Sequence, residues 1–262
     1  MLEVKGLVAG YAGSEVLHGI DLVVDKGEGV VVLGPNGHGK TTLLRAITGL
    51  LPPRAGQVLW NGTDITRWRP DVIAAAGVVH IPQGDLLFPE MTVTENLLMG
   101  AFHRRTWAER KGRLDRVYEL FPWLKERGGQ LTRTLSGGER RMLALGRGLM
   151  SKADILLVDE QDVGLGHERR MLALGRGLMS KADILLIDEP SLGLAPLTTE
   201  QIYASIHKVK ESGIALLLAD ENANHVAGLA DRVYLLETGS LVREGPADTL
   251  LKDQALLESY LG

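Results

Sequence analysis

At 262 residues, 45% apolar and 24% charged, the chain suits one large globular domain, or a core with an inserted lobe. A formal net charge of −4 with no basic stripe argues against nucleic acid as a partner, and the lack of cysteine removes disulfides and thiolate metal sites and fits a cytosolic location. Met1–Lys5 lacks the apolar stretch of a secretory leader. Runs such as Ile214–Ala219 are too short to cross a bilayer, so any membrane role must come through a partner.

Alternating apolar positions predict strands over Leu2–Leu7 and Ile20–Val24, with the turn Gly10-Tyr11-Ala12-Gly13 between them. Tyr11 is either a stacking platform for adenine or an ordinary surface tyrosine. Gly29–Leu33 is a short apolar run suited to a buried parallel strand. It runs into Gly34-Pro35-Asn36-Gly37-His38-Gly39-Lys40-Thr41-Thr42, which fits the phosphate-loop pattern G-x-x-x-x-G-K-[ST]. The glycines let backbone N–H groups converge on phosphate oxygens, and the following helix adds its positive end. Lys40 is placed for the β- and γ-phosphates and the Thr41 hydroxyl for magnesium. This stretch predicts binding of a nucleoside triphosphate.

Gln57–Trp60, closed by Asn61-Gly62, is expected as a strand and turn. Val78–Ile81 is a buried strand ending in Pro82-Gln83-Gly84, with Gln83 placed to meet magnesium and attacking water. From Asp85 the texture turns helical: Thr94–Met99 starts one helix and Trp107–Leu120 forms another, with Leu114, Val117, Tyr118 and Phe121 as core. Leu135-Ser136-Gly137-Gly138-Glu139 opens a helix to about Met150. Its start is an ordinary cap or a second anion-ready surface. Ile184–Ile187 is an apolar strand ending in Asp188-Glu189, a pair able to hold magnesium through the aspartate and polarise water through the glutamate. A Ser191–Pro196 loop, a Thr199–Glu211 helix, an Ile214–Leu218 strand, a Val233–Val242 hairpin around Thr238-Gly239 and an Ala247–Leu261 helix complete the chain.

Taken together these residues resemble the ATP-binding subunit of ABC transporters, in that family's order: Tyr11, the phosphate loop, Gln83, the Leu135–Glu139 signature, the carboxylate strand and the Ser191–Pro196 loop. Pro82-Gln83-Gly84, Glu95–Gly100, Val117–Pro122 and Tyr260-Leu261-Gly262 look like the branched-chain amino-acid importer ATPases, with urea and amide importers close by. The resemblance implies an α/β, RecA-like P-loop NTPase core at 1–84 and about 152–262, with a mostly parallel sheet, an N-terminal antiparallel β region, and a helical lobe at about 85–151. It also implies ATP and Mg2+ as cofactors. Two subunits would sandwich ATP head to tail, each phosphate loop facing the partner's Ser136, Gly137 and Gly138. Further expected partners are membrane permease subunits, contacted through the lobe and the Gln83 loop, and indirectly a periplasmic solute-binding protein. The subunit would sit on the inner face of the membrane.

One stretch departs from that pattern. Gly137–Leu165 recurs as Gly166–Leu194, and between Glu139–Glu160 and Glu168–Glu189 only Val158 and Ile187 differ. A tandem duplication of the signature helix and carboxylate strand is inferred. Copy one keeps the signature but follows Glu160 with Gln161-Asp162-Val163. Copy two carries Gly166-His167-Glu168 in place of the signature glycines, yet Glu189 leads into Pro190-Ser191-Leu192. Asp188 and Glu189 are therefore preferred, with Asp159 and Glu160 as the alternative. Glu221 stands where the family carries a switch histidine or glutamine, and a carboxylate there opposes the γ-phosphate unless protonated or turned away. A binding module with impaired hydrolysis is thus the runner-up. His38, where a small residue is usual, either brings a positive charge near phosphate or simply faces solvent, the second being preferred; His80 and His225 are expected to be structural.

Overall fold

A computed structural model describes residues 1–81, 87–101, 107–150 and 183–253. The chain opens with β1 (Leu2–Ala9), β2 (Leu17–Val24) and β3 (Gly29–Leu33), followed by α1 (Lys40–Ile47), β4 (Ala55–Trp60) and β5 (Thr63–Asp64). An antiparallel sheet takes the order β2-β1-β4-β5. Within β1 the buried side chains change phase, from Leu2 and Val4 to Leu7 and Ala9. The pairing shifts between Val4 and Leu7, where Gly6 adopts φ 54°. This β-bulge keeps one face apolar on both sides of the kink, and it carries the strand two residues past the expected end.

The chain continues with α2 (Pro70–Ala75) and β6 (Val78–Ile81), then, beyond a helical stretch, β7 (Ile184–Asp188), α7 (Pro196–Glu211), β8 (Ala215–Asp220), α8 (Ala223–Val226), β9 (Arg232–Glu237), β10 (Ser240–Pro246) and α9 (Ala247–Leu250), and these strands join β3 in a second sheet. Its order is β10-β9-β3-β8-β7-β6, all parallel except β10. Every residue of β3 is buried because the sheet is covered on both faces. Val30 and Val32 pack with Leu43, Leu44 and Ile47 of α1 and with the antiparallel sheet. Val31 and Leu33 pack with Ile202, Ile206 and Val209 of α7.

The intervening helices are α3 (Val93–Met99), α4 (Arg110–Leu120), α5 (Pro122–Glu126) and α6 (Gly137–Met150). Thr92 and Glu95 form a capping box that starts α3. Leu97, Val117, Phe121, Leu124, Leu143 and Met150 share the core with Ile81 and Ile187. Between α3 and α6 the described residues contain no strand, only an isolated bridge from Thr92 to Leu131.

The strand seated between β6 and β8 is Ile184–Asp188, from the second repeat, while α6 is the helix of the first. Several boundaries differ from expectation, most clearly at two helices. Helix α7 begins at Pro196 rather than Thr199, since a proline needs no N–H at the first helical position. The closing helix stops at Leu250 and turns, and residues 254–262 lie outside the described residues. No helix among the described residues is long and apolar enough to cross a membrane.

Candidate functional site

At the C-terminal end of β3 the chain turns so tightly that a Cβ on Gly34 would lie 2.3 Å from the Leu236 carbonyl oxygen. Gly39 precedes α1 at φ 107°, a left-handed conformation suited to glycine, and no side chain caps the helix. The first-turn N–H groups of α1 are therefore open to an anion. Lys40 is 3% exposed; its Nζ donates to the Gly34 carbonyl at 2.7 Å and the Pro35 carbonyl at 3.1 Å. It also pairs with Glu189 Oε1 at 3.0 Å.

Glu189 reaches Lys40 from a strained backbone, with φ at 41°. Its N–H donates to the Ala219 carbonyl at 2.9 Å, and its own carbonyl accepts from Arg141 Nη1 at 2.7 Å. Arg141 Nη2 donates to the Leu192 carbonyl at 2.7 Å, so α6 grips the loop after β7. Asp188 closes β7 with both carboxylate oxygens buried and without a well-formed hydrogen bond among the described residues. Burial pushes its carboxyl up to about 6; the nearby Thr41 hydroxyl offsets part of that, and the Glu189 charge adds to it.

At the end of β8 stands a second carboxylate pair, Asp220-Glu221. Burial pushes Asp220 up to about 6, against the stabilising N–H groups of Asn222 and Glu221. Glu221 is turned toward Asn36 of the phosphate loop, whose Nδ2 donates to Oε2 at 2.5 Å. His38 does not simply face solvent. Its Nδ1 accepts from the Thr238 N–H at 3.2 Å and its carbonyl from the Gly239 N–H at 3.1 Å, which ties the phosphate loop to the β9–β10 turn. Tyr11 is 38% exposed, and its hydroxyl accepts from Arg45 at 3.3 Å. His80 is buried with neither ring nitrogen hydrogen-bonded, and burial lowers it to about 3, so it stays neutral.

Ser136 and Glu139 form a reciprocal cap at the start of α6: the Ser136 N–H donates to Glu139 Oε2 at 2.7 Å and the Glu139 N–H to Ser136 Oγ at 3.4 Å. Burial would raise Glu139, but the Ser136 and Arg127 donors lower it. Gly138 abuts α7 so closely that a Cβ would lie 1.7 Å from Thr198 Cγ2. Gln83, Asp159 and Glu160 lie outside the described residues. The fold thus gathers the phosphate loop, Asp188, Glu189 and Glu221 at one end of the parallel sheet. Sequence reasoning did not find Arg141, Tyr203 or Asp220, whose partners come from other elements.

A strand, a glycine-rich turn and an uncapped helix, with two carboxylates on a nearby parallel strand, define a P-loop nucleotide-binding site. The family described as ABC transporter matches residues 17–162. The BraG branched-chain amino acid transport ATP-binding protein of Pseudomonas aeruginosa is 35% identical over 252 residues, spanning 96% of this chain and 95% of that protein. The probable branched-chain amino acid transport protein LivF of Archaeoglobus fulgidus is 32% identical, spanning 100% and 99%. The lipopolysaccharide export protein LptB of Escherichia coli is 28% identical, spanning 100% and 97%. The crystal structure of an ABC-transporter cassette in its ADP conformation superposes with a TM-score of 0.78 at 25% identity, covering 100% of this chain and 98% of that one. The chain belongs to the ABC transporter family and is a transport ATPase. The family match runs through the first repeat's Asp159-Glu160, whereas the sheet holds the second repeat's strand.

Proposed function

We propose that this subunit hydrolyses ATP to drive import of branched-chain or related hydrophobic amino acids through a membrane permease, with Glu189 as the general base. The observation carrying the reading is the buried Lys40–Glu189 pair at the floor of the phosphate loop. On nucleotide binding, Lys40 Nζ exchanges Glu189 for phosphate oxygens while its two carbonyl contacts keep the stem in place. Freed, the Glu189 carboxylate accepts a proton from the water attacking the γ-phosphorus, and ADP leaves. Tyr11 offers a face to adenine.

The residues also fit a divalent cation: Asp188 brings a buried carboxylate with no other hydrogen-bond partner among the described residues, and the Thr41 hydroxyl lies beside it. Gln83 would complete the set. Bound there, Mg2+ supplies positive charge to the β- and γ-phosphates.

The amino-acid cargo rests on the names of BraG and LivF; LptB, with another cargo, is nearly as similar. The partners proposed are permease subunits, a second ATPase whose Ser136–Gly138 counterpart closes the site, and a periplasmic binding protein, with this subunit peripheral on the inner membrane face. Phosphate release by Glu189→Gln and Glu160→Gln tests the base: loss of turnover is expected only with Glu189→Gln, and loss only with Glu160→Gln overturns it. Reconstitution with a branched-chain amino-acid permease and labelled leucine, against a urea permease and labelled urea, tests the cargo.

A second reading, binding with impaired turnover, is favoured by Glu221, a carboxylate beside the phosphate loop. Deleting residues 161–189 joins Glu160 to Pro190 and leaves one copy. A more than ten-fold rise in turnover on that deletion supports the second reading.

A further inference from the structure

Outside the phosphate loop, buried polar groups cluster where α7 crosses the end of β8. The Tyr203 hydroxyl donates to Asp220 Oδ2. The other carboxylate oxygen, Oδ1, accepts from the N–H of Glu221 at 2.7 Å and of Asn222 at 2.9 Å. Both oxygens are thereby committed, and the side chain fixes the turn immediately after it. Tyr203 is 8% exposed and Asp220 2%, so no water competes freely for these bonds.

This carboxylate sits at a junction. The Asp220 carbonyl accepts from the N–H of Gly34, the first phosphate-loop glycine, at 3.3 Å. The next residue, Glu221, is held by Asn36 of the same loop. From the other side, Ser191 Oγ, two residues beyond Glu189, lies 3.4 Å from the Tyr203 hydroxyl. The His225 ring packs on Tyr203 with centroids 5.1 Å apart, and its Nδ1 is 3.5 Å from Ser191 Oγ. A single phenol thus joins the loop after Glu189 to the turn bearing Glu221.

We propose that Tyr203 is a positioning residue for hydrolysis: through Asp220 it sets the turn that holds Glu221 against Asn36 and away from the nucleotide phosphates. The inference rests on the hydrolytic reading and on the Glu221 carboxylate lying beside the phosphate loop. Without the hydroxyl, Asp220 Oδ2 is buried and unpaired, the carboxylate loses its fixed orientation, and the Glu221 and Asn222 N–H groups lose theirs.

Tyr203→Phe tests this on the full chain, because phenylalanine keeps the ring against His225 and the surrounding core. The expected result is a fall in kcat of about ten-fold with a rise in KM for ATP of no more than about five-fold, since the released carboxylate disturbs the reacting geometry and also repels the phosphates. In a Glu221→Ala background the same substitution should change kcat by less than about two-fold, because the positioned group is gone. A variant that lowers Tm but leaves kcat at the wild-type value shows a purely structural tyrosine and overturns the proposal. An equal loss with and without Glu221 overturns it too. Should the wild-type chain bind ATP without turnover, the hydrolytic reading fails and amide NMR decides instead. Shifts of the Glu221, Asn222 and Gly34 amides in Tyr203→Phe support the link; their constancy refutes it.

Discussion

Asp188 is a group whose function and contribution to stability oppose each other. Its folded value of about 6 lies above the ordinary 3.8, first because of burial. Ionisation therefore disfavours the ligand-free fold: the cost is absent below about pH 4, grows between pH 4 and 6, and is complete above. The gap between the two values corresponds to about 3 kcal/mol. Asp188→Asn removes that cost but buries an amide whose donors lack partners, which returns about 1–2 kcal/mol. The net gain of about 1–2 kcal/mol at pH 7.5 raises Tm by roughly 4 °C for a chain of this size. Melting of both proteins in EDTA at pH 7.5 and 5.0 checks it. The variant should be more stable at pH 7.5, with most of the difference gone at pH 5.0. With Mg·ATP at pH 7.5 the order should reverse, because the wild type alone gains from the metal. A difference of the same size at both pH values, or a less stable variant at pH 7.5, refutes the assignment of a costly buried charge.

The neighbouring contacts give further expectations. Gly138→Ala drives a Cβ into Thr198 and should cost about 1–3 kcal/mol in urea unfolding; adding Thr198→Ala removes the clashing methyl and should recover most of it. Asn36→Ala frees Glu221, and its repulsion of the phosphates should weaken nucleotide binding about five-fold at low salt. Fluorescent-nucleotide titration reads this, and Glu221→Gln should restore affinity in the same variant. Arg141→Ala removes the guanidinium donors to the Glu189 and Leu192 carbonyls, and turnover should fall by about ten-fold with a smaller change in ATP affinity. Unchanged turnover would show that the loop after β7 holds itself.

The phosphate loop was legible because every residue it needs lies within nine positions, so spacing alone carries the chemistry. Strand β3 was legible for a related reason: burial on both faces leaves a continuous apolar run. The bulge at Gly6 was not, since a glycine in a strand marks a bulge only once its partner strand is known. Nor could local pattern select between Asp159-Glu160 and Asp188-Glu189, because the two segments have the same sequence apart from one methylene. Tyr203 and Asp220 are 17 positions apart on different elements, and nothing in either segment alone announces their pairing. His38 looked like a solvent-facing substitution because its partner, the turn at Thr238, comes 200 residues later.

The seat between β6 and β8 also bears on how the chain is made. Its first wall, Val78–Ile81, is synthesised before either repeat, and its second, Ala215–Asp220, after both. Ribosomes add about 5–20 residues each second, so the first repeat emerges a few seconds ahead of the second. That lead confers little advantage, since a strand paired on one edge only is marginal until the far wall arrives. By then both candidates are present, separated intrinsically by one methylene, about 1 kcal/mol. The grip of Arg141 on the carbonyls of Glu189 and Leu192 is offered to the strand that continues into Pro190. Order of synthesis thus gives neither copy a clear lead, and the contacts that distinguish the seated strand are those of Arg141 just beyond its C-terminal end.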